Sequence, residues 1–318
     1  MIDATPRQLP QGWPVEGRTG TALPGWKGIL FALPFLAIGV VLALLVATNR
    51  VRSEAPRGAL YGFAAIFAAS ALQFIQRSVR SIVRERRWAR LRALGDPAPW
   101  RSEFPWDRRG SIGDSGRVFG AALFALAGMS AFLVPFAWLA FSPLRGLDSW
   151  AFRGSIAFFG LFLAGLAGWV AYLLARRLKY GPGFLRFGHF PFLLGEAADL
   201  RLEPPRHARG LRRLEVALRC VEERIERQRD REGEHAFVSR WQLWAETRTV
   251  DADLGGSGLE LSFALPADPA LGTRLSAESP RYWELVARGA APGVDYASAF
   301  LVPVYAAPGE SRDGVATG

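Results

Sequence analysis

Four stretches of this 318-residue chain carry no charged side chain: 29–48, 58–75, 118–141 and 154–175. A helix rising about 1.5 Å per residue needs about 20 apolar residues to cross a hydrocarbon core about 30 Å thick. In lipid every backbone polar group must be satisfied within the segment, so such runs have to be helical. Half of the chain is apolar, with 11 Trp and 22 Phe, a composition that fits insertion. The pattern predicts a membrane α-helical domain over 28–180, with four transmembrane helices in two hairpins.

The runs differ in strength. Residues 1–27 are polar and broken by Pro6, Pro10, Pro14 and Pro24, without a small-residue cleavage site, so they read as a disordered tail before a retained anchor. Trp26 suits an interface, and Pro34 suits a kink in the first span. The second span is the weakest, being short and alanine-rich. Its small residues recur four apart, at Gly58 and Gly62 and again at Ala64 and Ala68, which suits close helix approach. A stronger small-residue stripe, Gly160, Ala164 and Gly168, marks the fourth span as a packing helix.

Between the second and third spans lies a basic middle loop, 76–117. No Gly or Pro interrupts it from Arg77 to Gly95, so the second helix is expected to run on past the membrane. Arg77, Arg80, Arg84 and Arg87 recur at helical spacing beside Val79, Ile82, Val83 and Trp88. Two readings follow: a basic amphipathic face binding anionic lipid headgroups, or a stop-transfer and orientation signal. Counted over the loops, 17 Lys and Arg fall on one side and five on the other. The positive-inside rule then places the N-terminus, the middle loop and everything after Lys179 in the cytoplasm, for a multi-pass protein of a plasma membrane. Trp100, Phe104 and Trp106 in the loop are costly to leave in water; they lie at headgroup level or pack on the soluble domain.

Beyond residue 185 the long apolar runs give way to short alternating ones. Leu214, Val216, Leu218 and Cys220 alternate with polar residues as in a half-buried strand. The highly charged run 221–231 suits either a helical continuation or, the preferred reading, a long hairpin tip ending near Gly233, with 237–249 returning as a strand. Leu259, Leu261, Phe263 and Leu265 mark a further strand, as do 281–288 and 295–305. Pro292 and Gly293 between the last two stand where a type II turn wants them. Short strands with no helical pattern between them predict an all-β antiparallel sandwich over 185–306, followed by a disordered tail at 307–318. Residues 1–180 carry a formal charge of +13 and the remainder −3. A soluble part without basic excess argues against nucleic-acid binding. Arginine supplies 37 of the 39 positive charges, a bias expected of a GC-rich bacterial genome.

The segment Arg281, Tyr282, Trp283, Glu284, Leu285, with Pro292, Gly293, Val294, Asp295, Tyr296 and then Phe300, Leu301, Val302, Pro303, Val304, resembles the end of an arrestin-like or immunoglobulin-like sandwich. That sandwich occurs in uncharacterised bacterial multi-pass membrane proteins. Trp100 and Pro105, Trp106, Asp107 before the third span look similar to them as well. The resemblance implies a fold and an inner-membrane location, with Tyr282, Trp283, Pro292, Gly293, Asp295, Tyr296 and Pro303 as structural motif residues. It implies no catalytic residue.

Chemistry is sparse. His189, His207 and His235 lack metal-ligand spacing. The stretch from Asp251 begins like a calcium loop but has Gly255 and Ser262 where ligands are needed. No metal or cofactor is expected, and the lone Cys220 reads as a core thiol. None of the four runs holds Asp, Glu, Lys, Arg or His, against proton-coupled transport by this chain alone. The expected function is a membrane-anchored adaptor or complex subunit whose sandwich binds a protein partner. The alternative is a membrane-embedded enzyme or transport component acting on lipid or envelope precursors.

Overall fold

A computed structural model describes residues 1–9, 26–50, 57–94, 98–141, 150–203, 205, 211, 213–230, 233–251, 258–277 and 279–307. The chain divides into two compact units, one of Ala22–Arg86 with Phe119–Tyr172, the other of Met1–Thr21, Arg87–Val118 and Leu173–Gly318.

Four long helices stand among the described residues: α1 (Trp26–Ala47), α2 (Arg57–Leu94), α3 (Ser115–Phe141) and α4 (Trp150–Tyr180). α2 continues 19 residues past the end of its uncharged run, as the absence of Gly and Pro before Gly95 requires. α4 stops at Gly181, whose φ of 76° and N–H bond to the Arg177 carbonyl form a C-terminal glycine cap. Two helices, Trp26–Ala47 and Arg153–Tyr180, are long and apolar enough to cross a membrane. Within the helical unit, Phe63 of α2 stacks near Phe132 and Phe136 of α3, and Phe31 and Phe35 of α1 meet Phe74 and Phe67 of α2. A Cβ at Gly39 would stand 2.8 Å from both the Ala64 carbonyl and the Ala68 nitrogen. The backbones of α1 and α2 therefore touch through the Ala64–Ala68 small pair.

The C-terminal part is rich in antiparallel sheet. β1 (Ile2–Asp3), β2 (Arg7–Leu9), β7 (Arg213–Asp230), β8 (Gly233–Asp251), β10 (Arg281–Gly289) and β11 (Tyr296–Val302) form one sheet in the order β1-β8-β7-β10-β11, with β2 also on β8. A second sheet runs β3-β4-β6-β9, from Gly110–Ile112, Phe184–Phe187, Ala197–Leu202 and Leu259–Ala264. β5 (Phe192–Leu193) pairs with β12 (Val304–Tyr305). One apolar core draws on both sheets: Leu214, Val216, Leu218, Trp283, Leu285 and Phe300 from the first, Leu200, Leu202, Leu261 and Phe263 from the second. The even positions of β7 face inward from Leu214 to Cys220, as alternation predicts, and Cys220 is fully buried.

Two expectations need correcting. Residues 1–9 are not a disordered tail: 2–3 and 7–9 are strands on β8, because the edge of a 19-residue strand offers unpaired N–H and C=O groups that an extended segment satisfies. The loop after α2 is likewise part of the sheet unit from Ala98 onward, ending in β3 beside β4. Tail residues 10–25, residues 231–232, residues 252–257 and the C-terminal 308–318 lie outside the described residues, whereas Trp26 and Lys27, at the end of the expected tail, open α1.

Candidate functional site

A bulge creates the most unusual surface of the sheet unit. Cys220 of β7 opposes Trp244, but the next residue, Val221, opposes Gln242, leaving Leu243 as the extra residue. The extra residue flips the facing of β8. From Trp244 onward its even positions face the inter-sheet core, whereas Arg240 and Gln242 turn to the far face.

There Arg240 meets the odd-numbered side of β7 and the even-numbered side of β10. Its guanidinium donates to the Tyr282 hydroxyl at 3.0 and 3.2 Å and to Glu284 at 2.9 Å, while Arg219 donates to the same Glu284 carboxylate at 2.8 Å. Tyr282 donates in turn to Glu223 at 3.1 Å. The Arg219, Arg240 and Glu284 side chains are 17, 11 and 8% exposed. Burial opposes the charge on Arg240, but Glu284, Tyr282 and Glu223 outweigh it and hold the guanidinium above its ordinary range. Burial pushes the Tyr282 hydroxyl well up, with Glu284 and Glu223 adding to it. These shifts lock the groups in the forms that bind one another and leave no activated nucleophile. The bonds join β7, β8 and β10 and pin their register.

The far face is roofed by a small apolar cluster of Leu9, Val221, Leu275 and Tyr282, with Phe104, Trp106 and Leu301 packed on it. Of the two placements open to the loop aromatics, packing on the sheet unit is the one adopted. Trp100 stands edge-on to Tyr305, and the Trp106 indole donates to the Tyr305 hydroxyl. The Glu103 carboxylate accepts from the N–H groups of Leu275 and Ser276 and from the Ser276 hydroxyl. Burial raises its pKa against those hydrogen bonds.

The motif residues are core and turn. Tyr282 and Trp283 are fully buried, and the Trp283 indole donates to the Leu271 carbonyl at 2.8 Å. Gly293 takes φ 85°, where glycine alone is unstrained, and Asp295 accepts from the Ala291 N–H. The Lys179 ammonium donates to the Pro292 carbonyl, and the Tyr180 hydroxyl to that of Val294. Tyr296 packs edge-on against Tyr180, while Pro303 is buried and its carbonyl accepts from Phe192.

The other sequence candidates sit apart from these. Arg77, Arg80 and Arg87 are exposed along α2, as are Val79 and Val83; the side chains of Arg84 and Trp88 lie outside the described residues. Gly160, Ala164 and Gly168 are exposed on α4, and no described atom lies within 4 Å of a Cβ built on either glycine. Within one copy the close helix approach is made by Gly39 instead. His189 is exposed against Phe192 and Glu196. Among the described residues no group of three His, Cys, Asp or Glu is placed to hold a metal ion. Burial pushes the Cys220 thiol up, away from thiolate chemistry.

Sheet edges remain. The β8 edge is covered by residues 1–9, and β11 is capped where the Asp114 N–H donates to the Ala299 carbonyl and the Ala299 N–H to the Asp114 side chain. β9 pairs only with β6 among the described residues. Because the Leu265 N–H bonds the Glu196 carbonyl toward β6, alternation turns the backbone groups of Glu260, Ser262 and Ala264 outward. No signal short of the three-dimensional pairing distinguished this edge.

No protein-family model and no curated protein matches the sequence. Among solved structures the chain is similar to the sporulation control protein Spo0M from Bacillus subtilis, at 13% identity and a TM-score of 0.21, over 38% of this chain and 48% of that one. The chain thus spans about half the length of Spo0M. It is also similar to the alkylpurine DNA glycosylase AlkC from Pseudomonas fluorescens, at 14% identity and a TM-score of 0.14, over 88% of this chain and 78% of that one. Both superpositions are loose, and neither assigns an activity.

Proposed function

We propose that this is a multi-pass protein of a bacterial inner membrane, with two helical hairpins, whose cytoplasmic β-sandwich binds a protein partner by strand addition at β9. The observation that carries the reading is the make-up of the sheet unit. Three segments that flank the helix pairs, 1–9, 98–112 and 184–305, contribute strands or core residues to it. A sheet cannot be assembled across a bilayer. If α1 crosses, α2 must return, and the same holds for α3 and α4.

The helices themselves support lipid as their surroundings. Phe158, Leu161 and Phe162 of α4 are 68, 74 and 59% exposed, as apolar side chains facing acyl chains are. The exposed Arg77, Arg80 and Arg87 beside Val79 and Val83 support contact with anionic headgroups. Two sheets sharing one core support the sandwich, and the β9 edge supplies the main-chain groups that strand addition uses.

Ser262→Pro tests the partner reading. It deletes an outward N–H while leaving the β6 ladder intact, a change that edge strands tolerate. In-cell crosslinking followed by affinity purification is expected to recover a partner with the parent chain and to lose it with this variant. Recovery of the same partners by both would defeat the β9 assignment.

A further inference from the structure

The segment covering the β8 edge holds it only shallowly. Met1 exchanges hydrogen bonds with Thr247 at 2.8 and 2.9 Å, Ile2 and Asp3 oppose Glu246 and Ala245, and Arg7 to Leu9 oppose Gln242 to Arg240. Pro6 parts the two short strands, and Leu9 alone in this segment is buried, whereas Ile2 is 64% exposed. A strand held by so few buried contacts opens at low cost.

The seat beneath it is imperfectly filled. Gln242 is 1% exposed, its Oε1 accepts a long 3.4 Å bond from Arg7, and its Nε2 has no partner. Exchanging the two ends of the amide does not help, because arginine has no acceptor to offer. A buried amide donor left unpaired is a standing penalty that a better-matched occupant removes.

We propose that the β8 edge is a second, gated docking site, at which an extended segment of a partner protein displaces residues 1–9. The occupant carries leucine where Leu9 sits, against Val221, Leu275 and Tyr282. Two residues earlier, in place of Arg7, it carries a carboxamide, whose N–H donates to Gln242 Oε1 and whose oxygen accepts from Nε2. The site is distinct from β9, and a Ser262→Pro chain retains it.

The test uses the full chain in nanodiscs, with and without residues 2–9, and two fluorescent peptides: residues 1–10, and the same peptide with Arg7→Gln. The Arg7→Gln peptide is expected to bind the shortened chain at least tenfold tighter than the intact one, and about fivefold or more tighter than the unaltered peptide does. Equal binding to both chains, no binding to the shortened chain, or equal binding of the two peptides overturns the proposal. Should the shortened chain lose its near-ultraviolet circular dichroism, the Asp3→Cys/Ala245→Cys chain decides, since these residues oppose each other directly. Oxidation is then expected to abolish binding of the Arg7→Gln peptide and dithiothreitol to restore it; binding indifferent to dithiothreitol overturns the gate.

Discussion

The indole N–H of Trp106 donates to the hydroxyl of Tyr305 at 3.0 Å, joining positions 199 residues apart. Tyr305 is 1% exposed, so its ring and the connector between α2 and α3 share one buried surface. Tyr305→Phe is expected to leave the Trp106 donor unpaired and to cost about 1–2 kcal/mol. Trp106→Phe should cost a similar amount, and the double variant little more than either. Chemical denaturation followed by tryptophan fluorescence checks this; additive losses would mean that the bond is not the coupling.

Glu284 is the shared acceptor of two buried guanidiniums. Replacing it with leucine leaves both charges without their carboxylate, and a loss of about 3–5 kcal/mol is expected. The exposed Arg186–Glu203 pair on the second sheet is the control, with side chains 63 and 36% exposed. Glu203→Ala should shift stability by less than about 1 kcal/mol. Comparable losses in the two denaturation midpoints would show that burial does not set the strength here.

Glu103 gives a pH dependence whose sign follows from its shift. Burial raises its folded-state pKa above 4.5, so between the two values the folded chain binds the proton more readily than the unfolded chain. This group's contribution therefore falls as pH rises through that window and strengthens as pH falls from neutrality toward 4.5. Glu103→Gln should flatten the part of the stability curve that belongs to this residue. Parallel curves for parent and variant across the window would remove Glu103 as the source.

What the sequence carried was periodicity, and what it missed was pairing at a distance. Even-position burial from Leu214 to Cys220, the hairpin return through Trp244 and the turn at Gly293 were all legible, because each is set by neighbours a few residues away. The bulge at Leu243 was not, since only the partner strand reveals an extra residue. The strands at 2–3 and 7–9 were hidden for the same reason: Pro6 and short polar runs read as tail until the β8 edge supplies their hydrogen bonds. β6 alternates as clearly as β7, with every second residue from Ala198 to Leu202 buried, and was readable in principle.

In the helical unit the close approach rests on Gly39. A side chain there would meet backbone atoms of Ala64 and Ala68, which have no rotamer to move aside. Gly39→Leu is expected to force α1 and α2 apart and to cost about 1–3 kcal/mol in overpacking. Gly160→Leu, with nothing described within 4 Å, should be tolerated in the same assay. Unfolding of the protein in mixed micelles by a denaturing detergent compares the two; equal midpoints would mean that α1 and α2 are not held together at this point.

The proposed topology rests on how the sheet unit is threaded. β2 ends at Leu9 and the connector begins at Ala98, yet both pack in one apolar cluster region with Tyr282, so they lie on one side of any bilayer the helices cross. An even number of crossings separates them, so under the proposed topology, in which α1 crosses, α2 crosses back, although it is less apolar than the candidate spans Trp26–Ala47 and Arg153–Tyr180. A reporter active only outside the cytoplasm, fused after Gly318, should be silent, while the same reporter inserted at 142–149 or at 51–56 should be active. Activity at the C-terminal fusion would return the sheet unit to the other side, and silence at one loop with a silent C-terminal fusion would break the pairing of the two helices that loop joins.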